Sequence, residues 1–127
     1  MSRKNHKKSV ILSSSERIVM ELLWEKSPQT VTELFHLLKE DPGWSKSTVN
    51  TMLARMSEKG LIRVAQGEKA KLYKPEVGKN SADLAETENF LERVYQGSVS
   101  MMMSTLMRQN KIDEKEMEEL KAMLDKM

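Results

Sequence analysis

The chain of 127 residues has no cysteine and only two histidines, His6 and His36. Disulfides and thiolate metal centres are thereby excluded within it, and two imidazoles make a histidine-based metal site a poor expectation. No Gly-rich phosphate loop, nucleophile motif or pair of carboxylates set for acid and base work is visible, so no enzyme is indicated. Long apolar runs are also missing. The amino end carries Arg3, Lys4, Lys7 and Lys8, but the apolar stretch behind them is only Val10 to Leu12. That is too short for the core of a signal peptide, and no other stretch approaches a membrane span. The expectation is a cytoplasmic protein with no cofactor, no metal and no membrane partner.

What is present is charge, distributed unevenly. The formal net charge of +2 combines +6 on residues 1–75 with −4 on residues 76–127. Such a split suits a chain whose amino half meets a polyanion and whose other half meets protein. At this length and 39% hydrophobic residues, the chain can hold one ordinary domain and an appendage rather than two full cores.

Trp44 to Gly60 is the most telling stretch. Ser45 suits an N-cap and Gly60 the left-handed position just past a helix end. Val49, Met52, Leu53 and Met56 fall at helical spacing on one stripe, which leaves Ser47, Asn50, Thr51, Ala54 and Arg55 facing outward or flanking it. Three other helix starts carry acids, as the helix dipole favours: Ser13 with Glu16, Thr30 with Glu33, and Asp113 with Glu114 and Glu116. This one opens on Lys46. A cation there costs about 0.3 to 1 kcal/mol through the dipole, so an external phosphate is a suitable partner, against the plainer reading of a solvated lysine.

Ahead of it, residues 13–26 form a first helix with Ile18, Val19, Leu22 and Leu23 as the core stripe, widened by Met20 and Trp24. Ser27 and Pro28 end it. A second helix runs from Thr30 to Lys39 with Val31, Leu34, Phe35 and Leu38 inward, and Asp41-Pro42-Gly43 supplies the turn. After Gly60, residues 61–65 and 70–74 read as a hairpin stopped by Pro75, with Ile62, Val64 and Leu72 packing on the helices. Lys69 at the tip, with Arg63, Lys71 and Lys74, lies along phosphates in this reading. Residues 1–11 form a basic arm that either reaches DNA or serves as a solubilising tail.

From Ser81 the pattern is helical again, with breaks at Gly97 and at Asn110-Lys111. Its apolar residues are too many for about 45 residues to bury alone, which makes pairing with a second copy the simplest solution. Phe90, Leu91, Val94, Met102, Leu106, Leu120 and Leu124 are the dimerisation candidates. Seven of the 11 methionines follow Gly97, and their helical spacing reads as packing surface rather than as a copper ligand set.

With those pieces placed, the chain from about Leu12 to Met127 resembles the penicillinase and methicillin-resistance repressor family, the BlaI, MecI and CopY type. The resemblance is carried by Glu16 to Trp24 (ERIVMELLW), Trp44-Ser45 with Thr48 to Thr51, Lys59 to Leu61, Leu72 to Pro75, and Phe90 to Gly97 (FLERVYQG). It implies a mostly α fold with a small β wing: a winged helix-turn-helix domain over 12–77, then a helical dimerisation domain over 78–127. It also implies a homodimeric repressor of resistance or homeostasis genes, bound to palindromic operators that commonly contain TACA and TGTA half-sites. In one branch a membrane-bound sensor protease triggers cleavage in the dimerisation helices, and the matching position here is Thr105-Leu106. The chain departs from the family there, where an Asn-Phe pair is usual. It also has Lys46-Ser47 in place of Pro-Lys and Glu68-Lys69 in place of Gly-Arg, and lacks the cysteine motif of the copper-responsive branch.

The DNA-binding candidates are therefore Lys46, Ser47, Thr48, Asn50, Thr51 and Arg55 on the third helix, with Lys69 and Lys71 on the wing. Asn50 suits adenine N6 and N7, Thr51 and the Ala54 methyl suit thymine methyls, and Lys46 or Arg55 suits guanine or phosphate. The rival expectation is a winged-helix scaffold that docks protein and lacks specific DNA binding.

Overall fold

The computed structural model describes residues 11–127, so the basic arm lies outside the described residues except for Ile11. In chain order the elements are α1 (Ser14–Glu25), α2 (Val31–Leu38), α3 (Lys46–Glu58), β1 (Ile62–Gln66), β2 (Lys71–Pro75), α4 (Lys79–Tyr95), α5 (Val99–Arg108) and α6 (Glu114–Asp125). They divide into two compact units, one ending at Glu86 and the other starting at Thr87.

Local chemistry starts the helices. Ser13 and Thr30 each accept the N–H of the residue three on, at 3.1 Å, and Glu16 and Glu33 return the favour to the cap N–H at 2.9 and 2.8 Å. These are complete capping boxes. Ser45 accepts from Thr48 N–H at 3.1 Å to start α3. At its end Gly60 takes φ +81°, which lets the Leu61 N–H reach the Met56 carbonyl at 2.9 Å.

The first unit is built around Val19, Met20, Leu23, Leu34, Leu38, Val49, Leu53, Met56 and Leu61, all at most 2% exposed. In α1 the buried stripe runs Glu16, Val19, Met20, Leu23, while Ile18 and Leu22 are only half-buried. This shifts the stripe expected from sequence by part of a turn. The reason is Glu16, a charged residue that apolar patterning passes over. Its carboxylate accepts from Ser13 N–H and forms a close ion pair with Lys59 at the end of α3. Burial alone would raise its pKa, but the Lys59 and Ser13 bonds outweigh that and hold the carboxyl below the ordinary value.

The hairpin corrects a second expectation. Its antiparallel register pairs Ile62 with Pro75, Val64 with Tyr73 and Ala65 with Leu72, so Val64 and Leu72 lie on opposite faces. Ile62 and Tyr73 are buried, Leu72 is half-buried, and Val64 is 41% exposed because the inner face leaves the helices toward the tip. Gln29 adds a bridge on the far side of β2: its N–H and carbonyl exchange bonds with Tyr73 at 2.9 and 2.8 Å. The Gln29 side chain, itself buried, donates to the Leu22 and Lys26 carbonyls at 3.1 and 2.7 Å and so closes the end of α1.

Helix α4 begins at Lys79, two residues before the expected Ser81, and its opening turns belong to the first unit. Arg17 holds them there, with Nη2 2.9 Å from Asp83 and 3.0 Å from Glu86 and Nη1 2.7 Å from Glu21. Lys79 reaches Glu21 at 3.1 Å and Asp83 at 3.4 Å. Trp24 lies under both cations, 5.6 Å from the Arg17 guanidinium and 5.2 Å from Lys79, and donates its indole N–H to the Val77 carbonyl at 2.8 Å. The Arg17 bond holds the Asp83 carboxyl below its usual range against the opposing effect of desolvation, with Lys79 adding to it.

The second unit contains the rest of α4, then α5 and α6. Ser98 and Asp113 cap the two later helices, accepting from Met101 N–H at 3.1 Å and Glu116 N–H at 2.8 Å. No residue from 87 to 127 is buried. No helix among the described residues is long and apolar enough to cross a membrane.

Candidate nucleic-acid interface

Because Val49, Leu53 and Met56 turn into the core, the opposite face of α3 has nowhere to go but solvent. Lys46, Ser47, Thr48, Asn50, Thr51, Ala54 and Arg55 are all exposed. The structure thus places every helical candidate on one accessible surface. Two of them have local duties as well. The Thr48 hydroxyl accepts from Ser45 Oγ at 3.1 Å within the cap, and Lys46 Nζ donates to Thr32 Oγ1 at 3.1 Å. The second contact ties the first turns of α2 and α3 together and sets exposed Thr32 beside the candidate face. Sequence carries no signal for it, since the two residues are 14 apart and meet only through the helix-turn-helix fold.

Basic character fades along the helix. Beside Arg55 a recess of about 410 Å³ opens toward the start of α1, but Glu16 and Glu58 line it together with Lys59. The cationic surface therefore consists of Lys46 and Arg55 on α3 and the lysines of the wing. On the wing, Gly67 N–H closes the turn onto the Ala70 carbonyl at 2.9 Å, and a Cβ at Gly67 would stand 2.5 Å from that oxygen. Lys69 is in this turn and Lys71 opens β2 opposite Gln66, both exposed. Arg63 and Lys74 pair across the outer face, and Arg63 is engaged with Glu76 at 2.9 Å.

A model of the penicillinase repressor family matches residues 12–126. The chain belongs to that family. The penicillinase repressor of Bacillus licheniformis is 26% identical over 119 residues, covering 94% of this chain and 93% of that protein. The methicillin resistance regulatory protein MecI of Staphylococcus aureus strain N315 is 25% identical over 119 residues, 94% of this chain and 97% of that one. The solution structure of the DNA binding domain of the repressor BlaI is similar with a TM-score of 0.50 at 27% identity, over 55% of this chain and 85% of that chain. This penicillinase repressor homologue is thus a transcriptional repressor of the BlaI and MecI type rather than an enzyme.

Within this repressor, the departures from the family pattern at Lys46-Ser47 and Glu68-Lys69 all fall on exposed positions. They alter the accessible face of α3 and the wing tip while leaving the core alone. Of the dimerisation candidates, Phe90, Val94 and Leu124 are 41, 42 and 69% exposed, and Leu91, Met102, Leu106 and Leu120 are half-buried. Thr105 and Leu106 lie within α5, half-buried, with the Thr105 hydroxyl donating to the Met101 carbonyl at 3.1 Å.

Proposed function

We propose that this repressor acts as a homodimer in the cytoplasm, occupying two-fold symmetric operator DNA of a resistance or homeostasis gene. One observation carries the reading: the exposed polar face of α3, with no acid before Glu58 at its end, stands on a winged helix whose wing presents free lysines. In it the α3 helices of the two protomers enter major grooves at half-sites about 10 base pairs apart or a multiple of that. Asn50 pairs with adenine, Thr51 and Ala54 meet thymine methyls, and Lys46 or Arg55 takes guanine or phosphate. Lys69 and Lys71 follow the backbone, and Thr32 joins Lys46 there.

The second unit supplies the pairing surface. A unit with no buried residue from 87 to 127 and large apolar side chains half in water is a stable arrangement only when another surface covers it. A second copy does so most economically. Linking two reading heads makes the second half-site contact intramolecular, so splitting the dimer removes much of its operator affinity.

Derepression follows from anything that cuts or opens residues 98–110. A sensor protease acting at Thr105-Leu106 is the candidate partner. Proteases bind extended chain, and this peptide bond is inside a helix, so cleavage proceeds through local opening of α5. The test is a salt titration of binding by fluorescence anisotropy, with DNA from the gene's own promoter and a scrambled duplex. Tight promoter preference with a steep salt slope supports the repressor reading. Weak binding to both duplexes would replace it with a protein-docking scaffold.

A further inference from the structure

All sulfur in this chain is thioether, since it has 11 methionines and no cysteine. The two compact units treat those thioethers differently. In the first, Met20 and Met56 are at 0% exposure and Met52 is half-buried against the core. In the second, Met101, Met107 and Met123 on α5 and α6 are 53, 50 and 57% exposed, Met127 beyond the end of α6 is 98% exposed, and the apolar Val99 and Leu124 are 56 and 69% exposed. Among the described residues, every exposed methionine belongs to the second unit.

We propose that Met101, Met107 and Met123 are oxidation sites through which a peroxide-class oxidant separates the repressor dimer and releases its operator. The proposal rests on the dimeric reading above. The sulfur lone pair attacks one peroxide oxygen, an S–O bond forms as the O–O bond breaks, and the leaving hydroxide takes the proton from the transferred oxygen to become water. Sulfur loses two electrons and the peroxide gains them. With no thiolate in the chain to intercept the oxidant, exposed thioethers are its first sulfur targets.

The consequence follows from polarity. A sulfoxide is polar and chiral, and no longer fits a surface that was covered because it was apolar. Losing the burial of one methionine corresponds to about a tenfold weaker association. Where the second copy covers these sulfurs, reaction proceeds through the separated protomer, which once oxidised fails to re-pair. The enclosed Met20 and Met56 keep the winged helix folded throughout, so the change is confined to pairing. Methionine sulfoxide reductases restore the thioether, which makes the step reversible.

The experiment treats the full chain with hydrogen peroxide, locates sulfoxides by peptide mass spectrometry, and measures self-association by analytical ultracentrifugation and promoter binding by anisotropy. Oxidation at the three sites is expected to weaken self-association at least tenfold, to weaken promoter binding with it, and to be reversed by the two reductases. The oxidation rate is expected to fall as protein concentration rises. In a variant carrying Met101→Leu, Met107→Leu and Met123→Leu, which has no oxidisable sulfur at these positions, self-association and promoter binding are expected to be the same before and after peroxide, each compared with that variant's own untreated state. The reductase reversal needs no variant and decides the matter if that one folds poorly. Full sulfoxide at all three sites with unchanged self-association of a protein that was dimeric beforehand would overturn the inference alone. An untreated protein that neither dimerises nor prefers its promoter would overturn the dimeric reading first.

Discussion

Replacing Glu16 by Gln probes a carboxylate whose side chain is only 7% exposed, between the start of α1 and the end of α3. Gln keeps the length and one oxygen for the Ser13 N–H, so the capping box survives. What goes is the charge-assisted bond to Lys59. The Lys59 side chain is 51% exposed and turns to water once its partner is neutral, so the loss is not that of a stranded buried charge. It is the difference between a charge-assisted and a neutral hydrogen bond, about 1 to 2 kcal/mol. The pH dependence has a definite sign. Because the folded carboxyl titrates below its ordinary value of 4.5, the folded state holds fewer protons than the unfolded chain across that interval. Its contribution is complete above the unfolded value and is lost as pH falls through the folded one. The deficit of Glu16→Gln is therefore full at neutral pH and closes in acid. Urea unfolding followed by tryptophan fluorescence measures it at fixed protein concentration, since Trp24 and Trp44 both lie in the first unit. Equal midpoints for variant and parent at neutral pH, or a deficit that stays constant in acid, would refute the reasoning.

Other expectations concern the DNA face, the wing and the pairing surface. Asn50→Ala should reduce promoter discrimination by about 1 to 3 kcal/mol per half-site with stability unchanged, measured by anisotropy against single-base operator variants. Lys69→Ala with Lys71→Ala should weaken promoter and scrambled DNA alike and lower the slope of log affinity against log salt by about one per lost phosphate contact. Gly67→Ala puts a Cβ 2.5 Å from the Ala70 carbonyl, so the turn must open and its closing hydrogen bond is lost; lower DNA affinity and a lower unfolding midpoint are expected from binding and urea curves. Leu124→Glu, at a position 69% exposed in the protomer, should leave the fold intact while shifting sedimentation toward monomer.

Features written in neighbouring residues were open to sequence reading. Ser13 with Glu16 and Thr30 with Glu33 announce helix starts because the cap and its partner are three residues apart, and Gly60 announces an end because only the local backbone decides it. The core side of α3 was equally plain, since Val49, Leu53 and Met56 repeat at helical spacing. The face opposite follows by elimination, which is why Ser47, Asn50, Thr51, Ala54 and Arg55 read from the sequence as outward or flanking. The family resemblance rests on short segments of this kind, from Glu16 to Trp24 through Phe90 to Gly97, and agrees with the family match over residues 12–126.

Sequence by itself thus determined the ends of the first three helices, the order of helix, turn, helix and wing, and the family. Tertiary structure decided the rest, because those features depend on partners distant along the chain. Glu16 is buried because Lys59, 43 residues on, meets its charge. Gln29 joins the sheet through Tyr73, and the pairing of Val64 with Tyr73 sends Leu72 to the other face, a slip of one residue that composition does not register. Arg17 binds Asp83 and Glu86, drawing the start of α4 onto the winged helix, through contacts across 66 and 69 residues that no local pattern encodes.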